Sequence, residues 1–169
     1  MLQWPNGSRL ERMILRLATQ RDCLNFAADH IRDVDGVVVE LGLGKGRTYD
    51  HLRKLFPERR ILTFDRELHA MPDCRPPAED LVLGEFSDTL GHWSARKVGP
   101  VALVHADVGS EKRDRDARLV ADLAPLVAPL LITGGILLAD RHWNLPNWQS
   151  LELPIHDGGW PYFGYKKLE

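Results

Sequence analysis

Apolar residues follow two rhythms along this chain, and the switches between them mark its elements. Leu10, Met13, Ile14 and Leu17 recur at i, i+3, i+4 and i+7, one face of a helix, just after the capping-box signature of Ser8 and Glu11. Thr19 and Asp22 repeat that signature before Leu24, Ala27, Ala28 and Ile31, which predicts a second helix or a bent continuation of the first. Together they would cover one side of a sheet. After the turn signal Asp35-Gly36 the rhythm changes: Val37, Val38 and Val39 form a β-branched run suited to a strand buried on both faces. Gly42, Gly44 and Gly46 interrupt it, Leu52, Leu55 and Phe56 mark a helix, and Pro57 ends that helix. Residues 61–64 predict a second strand ending at Asp65, residues 72–77 a proline-rich loop, and residues 80–83 a third strand.

The alternation continues. Residues 88–98 predict a helix and 101–104 a fourth strand. From Ser110 a long helix carries Leu119, Val120, Leu123 and Val127, with Pro125 and Pro129 shortening or kinking its end. Residues 136–139 make a fifth apolar strand. Five such strands separated by helices predict an α/β fold, a doubly wound Rossmann-like sheet of parallel strands with helices on both faces. The tail departs from this pattern. Residues 151–155 and 162–168 flank Asp157-Gly158 and predict a hairpin, so the sheet would end antiparallel. The expected organisation is one domain over residues 1–169: an N-terminal helical segment (1–34), a binding core (35–140) and a C-terminal hairpin (150–169).

Composition narrows the partners. A chain of 169 residues has room for one core, so a single fold carries all the chemistry. Its 22 basic and 24 acidic side chains leave a net charge of −2, which gives no field to gather nucleic acid or an anionic membrane. The charged segment from Lys112 to Asp116 mixes both signs and reads as a solvated helix start. Cys23 and Cys74 are too few for a disulfide framework and lack metal-ligand spacing, which fits a reducing cytoplasm. The N-terminal residues lack the features of a secretion signal, and no apolar run approaches the roughly 20 residues of a membrane helix. A soluble, cytoplasmic protein with neither nucleic-acid nor membrane partner is expected.

The glycine loop is the candidate for chemistry. Glu40-Leu41-Gly42-Leu43-Gly44-Lys45-Gly46-Arg47-Thr48 sets three alternate glycines between strand and helix, where backbone must approach a ligand closely. A dinucleotide fingerprint requires G-x-G-x-x-G, and here the third glycine comes one residue early. Glu40 would repel a pyrophosphate but attract ammonium or sulfonium charge, directly or through water. An ordinary tight strand-to-helix turn is the plain alternative for the glycines alone.

An acidic residue followed by G-x-G-x-G resembles the first motif of the class I S-adenosylmethionine-dependent methyltransferases, and the resemblance extends over nearly the whole chain. It implies S-adenosyl-L-methionine as cofactor, held by Glu40, Gly42, Leu43, Gly44, Lys45, Gly46, Arg47 and Thr48. It further implies that Asp65, followed by Arg66, holds the ribose hydroxyls, and that Gly84, Glu85, Phe86 and Ser87 frame the adenine. Within the class, three segments are similar to the catechol O-methyltransferase-like branch: His105-Ala106-Asp107, the run Gly134-Gly135-Ile136-Leu137-Leu138-Ala139-Asp140-Arg141, and Leu153-Pro154-Ile155-His156-Asp157-Gly158. In that branch the first two lie beside the transferred methyl, which brings Asp107 to the cofactor as well.

That branch uses a divalent cation, two aspartates, an asparagine and a lysine. Here Arg141 stands for the asparagine and Val108 for the lysine, so Asp107 and Asp140 remain as oxygen ligands, with Asn144 of the following loop as the alternative third, and no catalytic metal is expected. Methyl transfer needs alignment and, for some acceptors, a base. His105, Asp107, Asp140 and His142 stand as a set at the ends of the fourth and fifth strands, each also readable as a cap, a tether or a solvated side chain. Trp143, Trp148, Trp160, Tyr162 and Phe163, with Trp4, would wall an acceptor pocket, pack the hairpin or form a homo-oligomer contact. The motif of base amino-methyltransferases is absent after the fourth strand, which favours a small-molecule acceptor. An NAD-dependent oxidoreductase, or a non-catalytic nucleotide- or S-adenosylmethionine-binding module, is the competing reading, and the glycine spacing tells against both.

Overall fold

The computed structural model describes residues 7–93, 99–110, 112–155 and 159–169. It opens with α1 (Arg9–His30), one continuous helix of 22 residues. Its start is built as the capping box predicts: the Ser8 hydroxyl accepts the Glu11 N–H, and the Glu11 carboxylate accepts the Ser8 N–H at 2.7 Å. The second signature at Thr19 goes unused, because no glycine or proline interrupts residues 9–30 and Thr19 is itself buried mid-helix.

One mixed sheet holds β1 (Val37–Leu41), β2 (Ile61–Asp65), β3 (Leu81–Leu83), β4 (Val101–Ala106), β5 (Leu131–Ala139), β6 (Trp148–Ser150) and β7 (Phe163–Lys167). Their order is β3-β2-β1-β4-β5-β7-β6. The first five strands in chain order pair in parallel, and β7 runs antiparallel to both β5 and β6. Chain order reverses between β1 and β4, the switch point at which open α/β sheets bind ligands.

Strand alternation divides the core in two. Val38, Ile61, Leu103, Ile136 and Leu138 pack with α1 and α2 (Arg47–Leu55) on one face. Val39, Leu62, Val104, Leu137 and Ala139 pack on the other with α3 (Phe86–His92) and α4 (Arg113–Val127). A strand buried on both sides has no polar rhythm, which is why these runs read as continuously apolar.

α1 corrects one expectation. Leu10, Met13, Ile14 and Leu17 do not enter the core; they are 70%, 46%, 49% and 36% exposed, while Cys23, Leu24, Ala27 and Ile31 are buried. Length is the cause. A helix of 22 residues spans about 33 Å and a five-residue strand about 17 Å. With its C-terminal half packed on the sheet, its N-terminal half must overhang the carboxyl edge, above the switch point.

The C-terminal segment also shifts. The expected strand at 151–155 lies instead at Trp148–Ser150, and only the Leu151 N–H still reaches the ladder, at Gly164 O (2.9 Å). Pro154 has no N–H to offer, and Leu151, Leu153 and Ile155 pack on the α1 face. The turn at 157–158 and the second half of the predicted 88–98 helix fall on residues outside the described ones, as does Trp4. Trp143 and Tyr165 are buried in the α3–α4 face core, against which Trp148 and Phe163 pack, and Tyr162 is buried on the opposite face, so these five side chains contribute to the chain's own packing. Among the described residues, no helix is long and apolar enough to cross a membrane.

Candidate active site

The three loop glycines do different jobs. Gly42 has φ +90°, and a Cβ there would lie 2.3 Å from the Asp107 carbonyl oxygen, so bare backbone is what lets the ends of β1 and β4 meet. Gly46, at φ +84°, would bring a Cβ within 2.6 Å of Cys74 and opens α2 from a left-handed conformation. At Gly44 a Cβ would meet nothing within 4 Å, and its N–H donates to Asp65 Oδ2 at 2.9 Å. Two glycines therefore allow close packing, and the third leaves backbone open to a ligand.

That opening faces a cavity of about 500 Å³ at the switch point. Of the residues expected at the cofactor, Gly42, Leu43, Gly44, Lys45, Arg47, Thr48, Asp65, Arg66, Gly84, Glu85, Phe86 and Asp107 line it. The open loop backbone, a carboxylate ending β2 and Phe86 after β3 fit a nucleoside joined to an amino acid. Gly46 sits behind the loop and Ser87 is turned out to solvent.

Glu40 is placed differently from expectation. It is fully buried, its Oε1 accepts from the Thr48 hydroxyl, and its Oε2 lies 2.7 Å from His105 Nδ1. Each oxygen thus has a partner within the chain, and Glu40 does not itself line the cavity. The sheet register makes this pairing: Glu40 and His105 are opposite each other on β1 and β4. The other ring nitrogen, Nε2, bonds the buried Tyr162 hydroxyl. Burial disfavours charge on His105, but the Glu40 carboxylate, its hydrogen bond and the charges of Asp107 and Asp140 together outweigh it, and the pKa rises. Burial, then the nearby carboxylates of Asp107 and Asp140, keep the Tyr162 hydroxyl protonated far above its usual range.

Asp140 is buried as well. Its carboxylate accepts the backbone N–H groups of Val108 (3.2 Å) and Gly109 (3.0 Å) and pairs with Arg141 at 3.2 Å, which ties the loop after β4 to the end of β5. Burial, then the charge of Asp107, push its pKa up to about 6. Arg141 also binds Asp116 at 2.9 Å. His142 is exposed, with its ring against Phe163 and Tyr165. Of the four residues expected to supply a base, only Asp107 reaches the cavity.

The remaining wall comes from residues with no motif. Met13, Arg16, Leu17 and Gln20 of the overhanging α1 line the cavity, as do Gly109, Ser110, Arg115 and Leu119. Arg16 Nη2 lies 2.8 and 3.0 Å from the two Asp107 oxygens, and Gln20 Nε2 lies 2.9 Å from Oδ2. The only trace of this in the sequence is that Arg16 and Gln20 are four apart beside an apolar stripe, which does not point to a partner some ninety residues on.

Residues 7–167 match the family described as S-adenosyl-L-methionine methyltransferase. This chain belongs to that family. The methyltransferase is similar to the S-adenosyl-L-methionine methyl transferase from Silicibacter pomeroyi DSS-3, with 35% identity over 96% of this chain and 99% of that one and a TM-score of 0.86. It shares its fold with a protein described as a caffeoyl-CoA O-methyltransferase from Staphylococcus aureus (12% identity, 95% and 93% covered, TM-score 0.58). An rRNA methylase from Streptococcus thermophilus is alike to the same degree (14%, 87% and 97%, 0.56). No curated protein matches the sequence. S-adenosyl-L-methionine is thus the cofactor of this enzyme, and the oxidoreductase reading falls away. The likeness to the catechol O-methyltransferase-like branch is no stronger than that to the rRNA methylase, so the class stands and the branch does not follow.

Proposed function

We propose that this enzyme methylates a small molecule at an atom that attacks without help from a protein base, such as an amine nitrogen or a thiolate sulfur. The observation that carries this is the chemistry of the wall: among the described residues, no histidine, cysteine or tyrosine lines the cavity, and of the four residues expected to supply a base the one that does line it, Asp107, is already paired with Arg16 and Gln20. When bound, the cofactor supplies a methyl group already activated on a sulfonium. The chain's own work is then to bind, align and exclude water.

In this reading the backbone around Gly44 and the side chains of Asp65 and Phe86 hold the nucleoside. Met13 and Leu17 form an apolar brim from the overhang of α1, which suits an acceptor with an apolar body. A nucleic-acid acceptor is disfavoured because Arg16 and Arg66 each face a carboxylate, which among the described residues leaves only Lys45, Arg47 and Arg115 as unpaired cations at the cavity. No metal is invoked: Asp107 and Asp140, the two oxygen ligands that the resemblance offers, each contact a guanidinium. A cell extract incubated with enzyme and methyl-labelled cofactor, then separated by size and class, tests the proposal. Label in the small-molecule fraction, retained with a chelator present, is the expected result, and label in the RNA fraction would overturn it.

A further inference from the structure

Four of the seven large apolar side chains left exposed among the described residues lie on one stripe of α1: Leu10, Met13, Ile14 and Leu17. Single exposed apolar residues are ordinary, whereas a contiguous stripe marks a binding surface. This one begins inside the site. Met13 and Leu17 line the cavity, while Leu10 and Ile14, which do not, carry the same face onward to the first turn of the helix. From Leu17 to Leu10 the helix rises about 10 Å, the length of a medium-chain alkyl group. Arg9, Glu11 and Arg12 give the rest of that turn a polar surface.

The cavity has little space to spare. At about 500 Å³ it is the size of a site for one drug-sized ligand, so with the cofactor seated it holds the acceptor's reacting end and leaves the rest of the acceptor at the rim. We propose that the acceptor carries a linear apolar chain, which Leu10 and Ile14 receive as it leaves the cavity past Met13 and Leu17. This rests on the acceptor being a small molecule, and it narrows that class to an amphiphilic amine or thiolate. A protein partner matches the stripe less well: a stable interface takes about 20–30 residues a side, and the stripe offers four. Such a partner would also cover the rim by which the acceptor enters. The overhang of α1 gains a use in this scheme. A helix ending level with the sheet would lack these two turns, and an emerging chain would meet water. Each methylene moved fully out of water multiplies affinity by about fourfold, and one lying on a single apolar wall by about twofold.

Titration calorimetry of the protein saturated with S-adenosylhomocysteine, using n-butylamine and n-decylamine as probes, reads the chain directly. Decylamine should bind wild type roughly 30- to 100-fold more tightly than butylamine. In L10Q/I14Q, whose glutamines suit a helix, decylamine should weaken by roughly 5- to 10-fold while butylamine stays within about twofold. Melting curves check that the variant folds, and sedimentation of both proteins tests for a second copy on the stripe. With cell extract and methyl-labelled cofactor, the labelled product should pass into an organic phase. Failure of decylamine to bind, equal affinity of wild type for the two amines, equal decylamine binding by wild type and L10Q/I14Q, or a wild-type dimer that L10Q/I14Q splits would overturn the proposal. A labelled small molecule that stays in the aqueous phase would also overturn it and leave the small-molecule reading standing, whereas label in RNA would remove that reading as well.

Discussion

Asp65 offers a test in which the magnitude follows from counting lone pairs. An ionised carboxylate has about four acceptor sites. In this structure Oδ1 accepts the N–H of Arg66 at 2.6 Å and, weakly, that of Glu67 at 3.4 Å, while Oδ2 accepts the Gly44 N–H at 2.9 Å. One site on Oδ2 is left for a ribose hydroxyl, so one full charge-assisted bond is expected where two would follow from a free side chain. Such a bond contributes about 1.5–3 kcal/mol, or roughly a 10- to 150-fold change in affinity. Asp65→Asn keeps an acceptor for Gly44 and loses the charge, and should weaken S-adenosylhomocysteine binding by about tenfold, the lower end. Asp65→Ala also releases the Gly44 N–H, loosens the loop, and should reach the upper end. Calorimetry with S-adenosylhomocysteine and with its 2′,3′-dideoxy analogue reads the two effects apart. For the analogue, Asp65→Asn should match wild type, because there is no diol to lose. Unchanged binding of S-adenosylhomocysteine by Asp65→Ala would refute the reasoning, as would an equal loss by Asp65→Asn for both ligands.

Three further outcomes follow from the same geometry. Gly42→Ala sets a Cβ 2.3 Å from the Asp107 carbonyl at φ +90° and should cost about 3 kcal/mol, a melting-temperature drop of roughly 6–12 °C, whereas Gly44→Ala, with open space around it, should cost only about 1–2 kcal/mol from its φ of +51°. Equal melting curves for the two would show that the close approach at Gly42 is not what requires glycine. The folded pKa values of His105 and of Asp140, the latter about 6, both lie above their unfolded values, so each group holds more protons folded than unfolded. Their stabilisation is complete at low pH and lost as pH rises, for Asp140 between about 4 and 6 and for His105 above about 6.5. Lowering pH from 7.5 to 5.5 should therefore raise the melting temperature, and Asp140→Asn should reduce that rise; a fall on acidification would contradict the assignment. Tyr162→Phe strips the buried hydroxyl from His105 and should cost about 1–3 kcal/mol in urea unfolding, while S-adenosylhomocysteine affinity stays within about threefold because Tyr162 does not line the cavity.

Local pattern and local chemistry were enough to establish the frame of this enzyme. Apolar runs at 37–39, 61–64, 101–104 and 136–139 all lie in parallel strands, the Ser8–Glu11 box starts α1, and Gly42 and Gly44 of the triplet line the cavity with Asp65, because each depends on residues a few positions apart or on a spacing one strand imposes. Charged residues were another matter. Glu40 reads as a ligand group until register sets it against His105, 65 residues away, and Asp140 reads as a base until burial closes it over two backbone N–H groups. The apolar stripe of Leu10, Met13, Ile14 and Leu17 has a sound helical period yet meets no core, since period reports which face is apolar and not where a helix ends relative to the sheet beneath it. That overhang is also what brings Arg16 to Asp107 across 91 residues. A side chain's chemistry is written in its identity, but whether it meets a ligand, another side chain or solvent depends on distances that only the packed chain sets.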